Sequence, residues 1–365
     1  MIIDAKHLAK AIELVKAVLP KRPSSPIFEH AIMLVHAGKI SLSASNVQTT
    51  VSMHIPCSSD VPHSAFLVPI RKLKLPKSGD VSFLVSPGEF GDTLTVSIGA
   101  SKIEYDVPKA GDYPQIPQAS SQSGLLITAR DLANLLTKTE YAIDKKATDN
   151  FRCILFEVDS DQLVAVATNR ARLAVAKCSA TTTNGDAIPQ AIVPHESATV
   201  LLKLLRTLDS NANVKLTVND NKLFVSSDGV SLSAVLYDGR YPKWRNVFPE
   251  NISAVVRMDA KSVAESLERA AIEIPKDPKN HPGTVFEISE NVLRLSTDSP
   301  SIGKAEETIP VVYAGEPFTV VFSPSYVLDF LKHVSARSVT MFYYGSKSPV
   351  MFRESESYKY LVMPR

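Results

Sequence analysis

ITARDLANLLTKTEY, residues 127–141, occurs three times in this chain in altered form. Leu132, Leu135 and Leu136 recur at helical spacing, and Thr128 stands where its hydroxyl can satisfy the open amides of a first turn. The stretch therefore predicts a short, capped amphipathic helix. Asp4-Ala5-Lys6-His7-Leu8 lies 124 residues upstream of Thr128-Ala129-Arg130-Asp131-Leu132, and Asp259-Ala260-Lys261-Ser262-Val263 lies 131 downstream, all in one register. Each reads cap, alanine, cation, polar, aliphatic.

Other landmarks recur at similar offsets, which a chance match between helix starts would not produce. ISLSASN ends on Asn46, LVAVATN on Asn169 and VLRLSTD on Asp298. A second helix start follows each, at Val68-Pro69, Val193-Pro194 and Phe322-Ser323-Pro324, with proline where its missing N–H costs little. Two copies close on Asp112-Tyr113-Pro114 and Arg240-Tyr241-Pro242. Between these marks run short alternating stretches with the period of half-exposed strands. The reading is an α+β fold of three tandem modules, each of two helices and several strands, over residues 1–123, 124–250 and 251–365.

The 365 residues suit three cores of that size better than one. No apolar run reaches the length of a membrane span and the N-terminus lacks the features of a signal peptide, so a cytoplasmic protein is expected. Cys57, Cys153 and Cys178 have no metal-binding or redox spacing and are read as reduced thiols; neither metal nor cofactor is expected. No nucleophile elbow, P-loop, H-E-x-x-H or dinucleotide fingerprint is present, which argues against an enzyme. Asp277 and His281 sit in a polar, proline-punctuated loop and read as loop residues.

Six helices are expected, at 5–18, 70–77, 129–141, 195–206, 260–272 and 324–337. Over these ranges Lys and Arg exceed Asp and Glu by eight, against +2 for the whole chain. Helices gathered on one side would make a cationic face for a polyanion, gripping phosphates without reading bases. The alternative is that these lysines merely solvate helix surfaces.

Three runs carry a resemblance: VATNRARLAV (166–175), YDGRYPKWRNVFP (237–249) and the terminal YLVMPR (360–365), with SYVLDFL (325–331) between the last two. With the triple repeat, they resemble the bacterial DNA polymerase III beta subunit family, the sliding clamps. The resemblance implies a head-to-tail homodimer closing a ring around duplex DNA, with helices on the inner face and sheets outside, no catalytic site and no cofactor. It implies a DNA-held processivity factor that tethers the catalytic subunit of the polymerase, the clamp loader and other proteins carrying a clamp-binding motif, without sequence preference in the DNA. A non-encircling member of the fold that serves only as a peptide-binding scaffold is the alternative.

Carried over by position, the resemblance implies a peptide cleft walled by Thr168, Arg172, Leu173, Pro242, Val247, Tyr326, Leu361, Met363 and Pro364. Arg170 falls beside it, because Asn169-Arg170-Ala171 replaces the family's usual Asp-Gly-His, and a long cation there is expected to narrow or redirect peptide choice. DNA contacts are expected at Arg22, Lys72, Lys145, Lys146, Lys203 and Lys332. The implied dimer edge comprises Lys102, Ile103 and Tyr105 facing Arg269, Ile272, Glu306 and Glu307.

Overall fold

Asp4, Thr128 and Asp259 each close a short strand and cap the helix that follows it. The Asp4 carboxylate accepts from Lys6 N at 2.9 Å and His7 N at 3.2 Å. Thr128 Oγ1 accepts from Asp131 N at 3.1 Å and donates to Asp131 Oδ2 at 2.7 Å. Asp259 Oδ1 accepts from Ser262 N at 2.9 Å. The helices are α1 (Ala5–Lys16), α2 (Ala129–Thr139) and α4 (Ala260–Ala270). Two more are α3 (His195–Leu205), which begins just after Pro194, and α5 (Pro324–Leu331), which has its proline as the first helical residue; neither has a side-chain cap. Removing a cap leaves an unpaired amide, so Asp259→Ala is expected to lower stability by about 1 kcal/mol in urea denaturation.

This is a computed structural model describing residues 1–20, 22–36, 39–56, 63–120, 123–183, 188–271, 283–299 and 303–365. Ile272, Cys57, Asp277 and His281 lie outside the described residues. Cys153 is buried and Cys178 half-buried, and no disulfide joins them.

The chain forms two compact units, one of Met1–Ala133 with Ala180–Tyr237, the other of Asn134–Ser179 with Asp238–Arg365. In the first, a four-stranded antiparallel sheet runs Ile2–Asp4, Asp80–Pro87, Asp92–Ile98, Ser101–Val107. A nine-stranded sheet also lies in this unit, with Val230–Val235 beside Thr49–Ile55 in the register Leu232↔Val51. In the second unit, a four-stranded sheet runs Gly303–Pro310, Val292–Ser299, Thr284–Ser289, Phe318–Phe322. Its larger sheet places Arg172–Ser179 beside the terminal strand Tyr358–Val362, Leu173 opposite Leu361. Strand pairing thus joins segments of different sequence repeats.

The core of the second unit is aromatic. Phe286 meets Phe322 at a centroid distance of 5.0 Å, Phe322 meets Phe352 at 5.8 Å, and Phe330 touches Phe352, Tyr358 and Tyr360 at 5.9, 5.2 and 5.2 Å. All six rings are fully buried. Burial of this area dominates the stability of the platform on which the functional site rests.

Two expectations about helices fail. Residues 70–77 make only one turn, closed by Lys72 N and Leu73 N on Pro69 O, at 2.8 and 3.1 Å. Pro76 has no amide to continue the ladder and disfavours helical backbone at the preceding residue. The helix expected to reach residue 337 ends at Leu331. Its next turn is diverted: His333 Nδ1 bonds Asp329 O at 2.6 Å, and the amides of Ser335 and Ala336 point to Glu354 Oε1.

The charge reading changes accordingly. The five helices among the described residues carry eight Lys or Arg and six Asp or Glu, a net +2 equal to that of the whole chain. Much of the expected excess of eight came from cations that lie outside these helices, among them Arg71, Lys72, Lys74, Lys77, Arg206 and Arg337.

Candidate functional site: a peptide cleft

The cleft is organised by a turn that the fold uses twice. After the strand Gln162–Thr168, Asn169 Oδ1 accepts from Ala171 N and Arg172 N at 3.1 and 3.0 Å, and Thr168 Oγ1 accepts from Arg170 N at 3.1 Å. In the first unit Asn46 Oδ1 accepts from Thr49 N at 2.7 Å, and Ser45 Oγ accepts from Val47 N at 3.1 Å. Arg170 and Val47 occupy the same place and both have φ 76. Side-chain oxygens thus hold a left-handed residue that neither Arg nor Val would choose, at a cost of about 1–2 kcal/mol. A tyrosine supports each turn from the end of its repeat: Ser45 N donates to Tyr113 OH at 3.0 Å, and Tyr241 OH donates to Val166 O at 3.2 Å.

Beyond the second turn the strand Arg172–Ser179 pairs with the chain's last strand, and Met363 N extends the ladder to Ala171 O at 2.8 Å. A 3₁₀ turn, Trp244–Val247, follows Tyr241-Pro242. Together these segments enclose a cavity of about 260 Å³, lined by Thr168, Arg170, Arg172, Leu173, Pro242, Val247, Leu361 and Met363 from the expected set. Phe151, Ala171, Trp244, Pro349 and Val362 line it as well. Trp244, the chain's one tryptophan, lies inside the quoted run 237–249 and was legible there. Phe151 and Pro349 carry no such signal.

Tyr326 and Pro364 do not line the cavity. Tyr326 supports it instead, its ring 4.5 Å from the Arg172 guanidinium and its hydroxyl 3.3 Å from Asn169 Nδ2. Arg172 is a fixed strut with a side chain only 9% exposed, bonded from Nη1 to Asp329 Oδ2 at 2.5 Å and from Nη2 to Tyr141 O. Burial opposes its charge, but Tyr360 and Asp329 outweigh burial and raise its pKa. Burial pushes the Tyr360 phenol well up despite Arg172, so it stays a neutral donor to Tyr326 O at 2.9 Å.

The remaining candidates are spread over both units. Arg22, Lys72 and Lys203 are exposed in the first unit, Lys72 on a turn and Lys203 on α3. Lys145, Lys146 and Lys332 are exposed in the second, and Lys332 pairs with Glu268 at 3.2 Å. Lys102, Ile103 and Tyr105 lie on the edge strand Ser101–Val107. Glu306 and Glu307 lie on the edge strand Gly303–Pro310, where Arg269 grips Glu307 through Nε and Nη2, both at 2.8 Å. Among the described residues no cluster of three or more His, Cys, Asp or Glu could hold a metal, and no helix is long and apolar enough to cross a membrane.

Residues 1–117, 126–243 and 245–365 match, in order, the models of the N-terminal, central and C-terminal domains of the DNA polymerase III beta subunit. The chain belongs to that family. The beta sliding clamps of Vibrio cholerae and Escherichia coli K12 are each 26% identical to it, over 371 and 373 residues, covering 99% of this chain and 98% of each relative. The crystal structure of the Pseudomonas aeruginosa DNA polymerase III beta subunit shares its fold, with a TM-score of 0.91 at 23% identity over 100% of this chain and 99% of that one. The Caulobacter crescentus sliding clamp matches with a TM-score of 0.87 at 23% identity, over 100% and 98%. DNA sliding-clamp function in replication is what this membership supports, and the family is one of generally non-catalytic processivity factors.

Proposed function

We propose that this sliding clamp closes as a head-to-tail homodimer around duplex DNA in the cytoplasm. Its cleft takes short linear segments of the polymerase's catalytic subunit, the clamp loader and other partners, and it performs no chemistry of its own. The observation that carries the ring is the pair of open sheet edges, Ser101–Val107 in one unit and Gly303–Pro310 in the other. Among the described residues each ends its four-stranded sheet, and an uncovered edge is a template for pairing with another chain. Alternation puts Ile103 and Tyr105 on the same side as buried Val107, and Ala305 and Glu307 on the same side as buried Ile309. Two copies joined edge to unlike edge leave neither edge open and close the assembly.

Within such a ring the contacts of Arg22, Lys72, Lys145, Lys146, Lys203 and Lys332 with phosphates stay weak, salt-dependent and blind to sequence. Topology then retains the DNA while the ring slides. Light scattering across a dilution series from micromolar to nanomolar tests closure. The expected mass is about twice 39.8 kDa and persists on dilution, while Ile103→Asp drops it to the monomer value. A wild-type monomer throughout the series would overturn the ring.

A further inference from the structure

Arg172 and Arg170 both line the cleft, but only Arg172 is committed. Its guanidinium is buried and bonded to Asp329 and to the Tyr141 carbonyl. The Arg170 side chain is 56% exposed and rests on the rim, its guanidinium 3.8 Å from the centre of the Phe151 ring. Nη2 is 3.1 Å from Asp149 Oδ2 and Nη1 is 3.6 Å from Asp144 Oδ2. Exposed contacts of this kind are weak in water, so they exchange readily for a better partner.

The backbone does not depend on arginine here, since the equivalent turn of the first unit adopts the same conformation with Val47. The side chain adds something the fold does not require. Among the described residues no Asp or Glu lines the cavity, whose walls are otherwise apolar apart from Thr168 and Arg172. The loop 144–152, which carries Phe151, holds Lys145, Lys146 and Arg152 against Asp144 and Asp149, so the segment beside Arg170 is net positive. A ligand that covers Arg170 also excludes water from it, which strengthens a bidentate bond to carboxylate.

We propose that Arg170 is a specificity-determining arm that selects partner peptides carrying an aspartate or glutamate beside their leucine or phenylalanine anchor. It releases Asp149 and takes the peptide carboxylate in its place, while the anchor fills the cavity between Leu173, Val247 and Leu361. The proposal rests on the cleft being the peptide site.

Fluorescence anisotropy on the full chain tests it with two labelled hexapeptides that share Leu and Phe anchors and differ only in Asp or Asn beside them. Wild type is expected to bind the Asp peptide about tenfold tighter, as one added charge-assisted bond would give. Raising the salt from 50 to 500 mM should shrink that ratio. Arg170→Gly, whose backbone tolerates positive φ, should bind both peptides alike, and Asp149→Asn should widen the preference by freeing the arm. Equal binding by wild type, or a preference that survives in Arg170→Gly, overturns the proposal. If neither peptide binds wild type, or Val247→Asp leaves both affinities unchanged, the cleft reading itself fails and takes the proposal with it.

Discussion

Val247→Asp is expected to weaken binding of a leucine- or phenylalanine-anchored peptide by about 100-fold or more, while leaving the fold intact. Val247 is 48% exposed and ends the 3₁₀ turn over the cavity. The turn is held by main-chain bonds, Asn246 N to Lys243 O at 3.1 Å and Phe248 N to Arg245 O at 3.4 Å, so the side chain has no structural duty. Surface substitutions away from such duties change stability by about 0.5 kcal/mol or less. Under a bound peptide the same position is covered. A carboxylate there must lose its water without gaining a partner, and central contacts of this kind contribute roughly 2 kcal/mol or more to binding. Anisotropy titration gives the affinity and a thermal melt supplies the control. Unchanged affinity with an unchanged melt would remove Val247 from the site.

The second large effect concerns stability. Lys138→Ala is expected to destabilise the protein by about 3–5 kcal/mol at neutral pH, because it strands a buried carboxylate. Lys138 Nζ lies 2.5 Å from Glu354 Oε2 and 4.6 Å from the centre of the Tyr358 ring; the two side chains are 22% and 6% exposed. Glu354 Oε1 also accepts from the amides of Ser335 and Ala336, at 2.5 and 2.8 Å, and so anchors the chain leaving α5.

The pH dependence follows from the same bonds. Burial pushes the Glu354 pKa up, but the bonds from Lys138 and from the Ala336 and Ser335 amides outweigh it and leave it below the ordinary 4.5. A depressed carboxyl contributes stability that is present above its unfolded pKa and lost as pH falls through the folded value. The cost of Lys138→Ala should therefore be full at pH 7 and shrink as the pH falls and the stranded carboxylate, deprived of the lysine that opposed its burial, takes up a proton ahead of the paired one. Urea denaturation at pH 7 and pH 3.5 measures both. A pH-independent difference would mean that packing of the lysine stem, not its charge, is what the variant removes. Glu354→Gln added to Lys138→Ala should recover part of the loss at pH 7.

What the sequence made legible was what local hydrogen bonds decide. Asp4, Thr128 and Asp259 cap their helices because a side-chain oxygen next to open amides acts over a few residues. Asn46 and Asn169 turn the chain for the same reason. The reading of residues 70–77 failed where one proline outweighed a run of good helix formers, and the segregation of charge failed with it. Short runs that resemble a known family supplied Leu173, Val247 and Leu361 of the cavity lining but not Phe151 or Pro349. Those two reach the cavity through tertiary placement, for which neither periodicity nor a flanking motif exists. The resting place of Arg170 was equally hidden, since a left-handed backbone and the partners Phe151 and Asp149 are both set at a distance in sequence.

The pairing of Leu232 with Val51 and of Leu173 with Leu361 bears on how such a molecule can be divided or inherited. Cutting the polypeptide at residue 123 or 250 would tear a continuous sheet lengthwise and leave its buried ladder bonds facing water. Such fragments would be sticky, because a long apolar edge invites pairing with any neighbour. Duplication can therefore have produced the repeats, yet once their strands had married across the joints no copy could be dropped or exchanged alone. The three repeats now form a single block joined by strand pairing, while turn side chains such as Val47 and Arg170 stand outside those ladders.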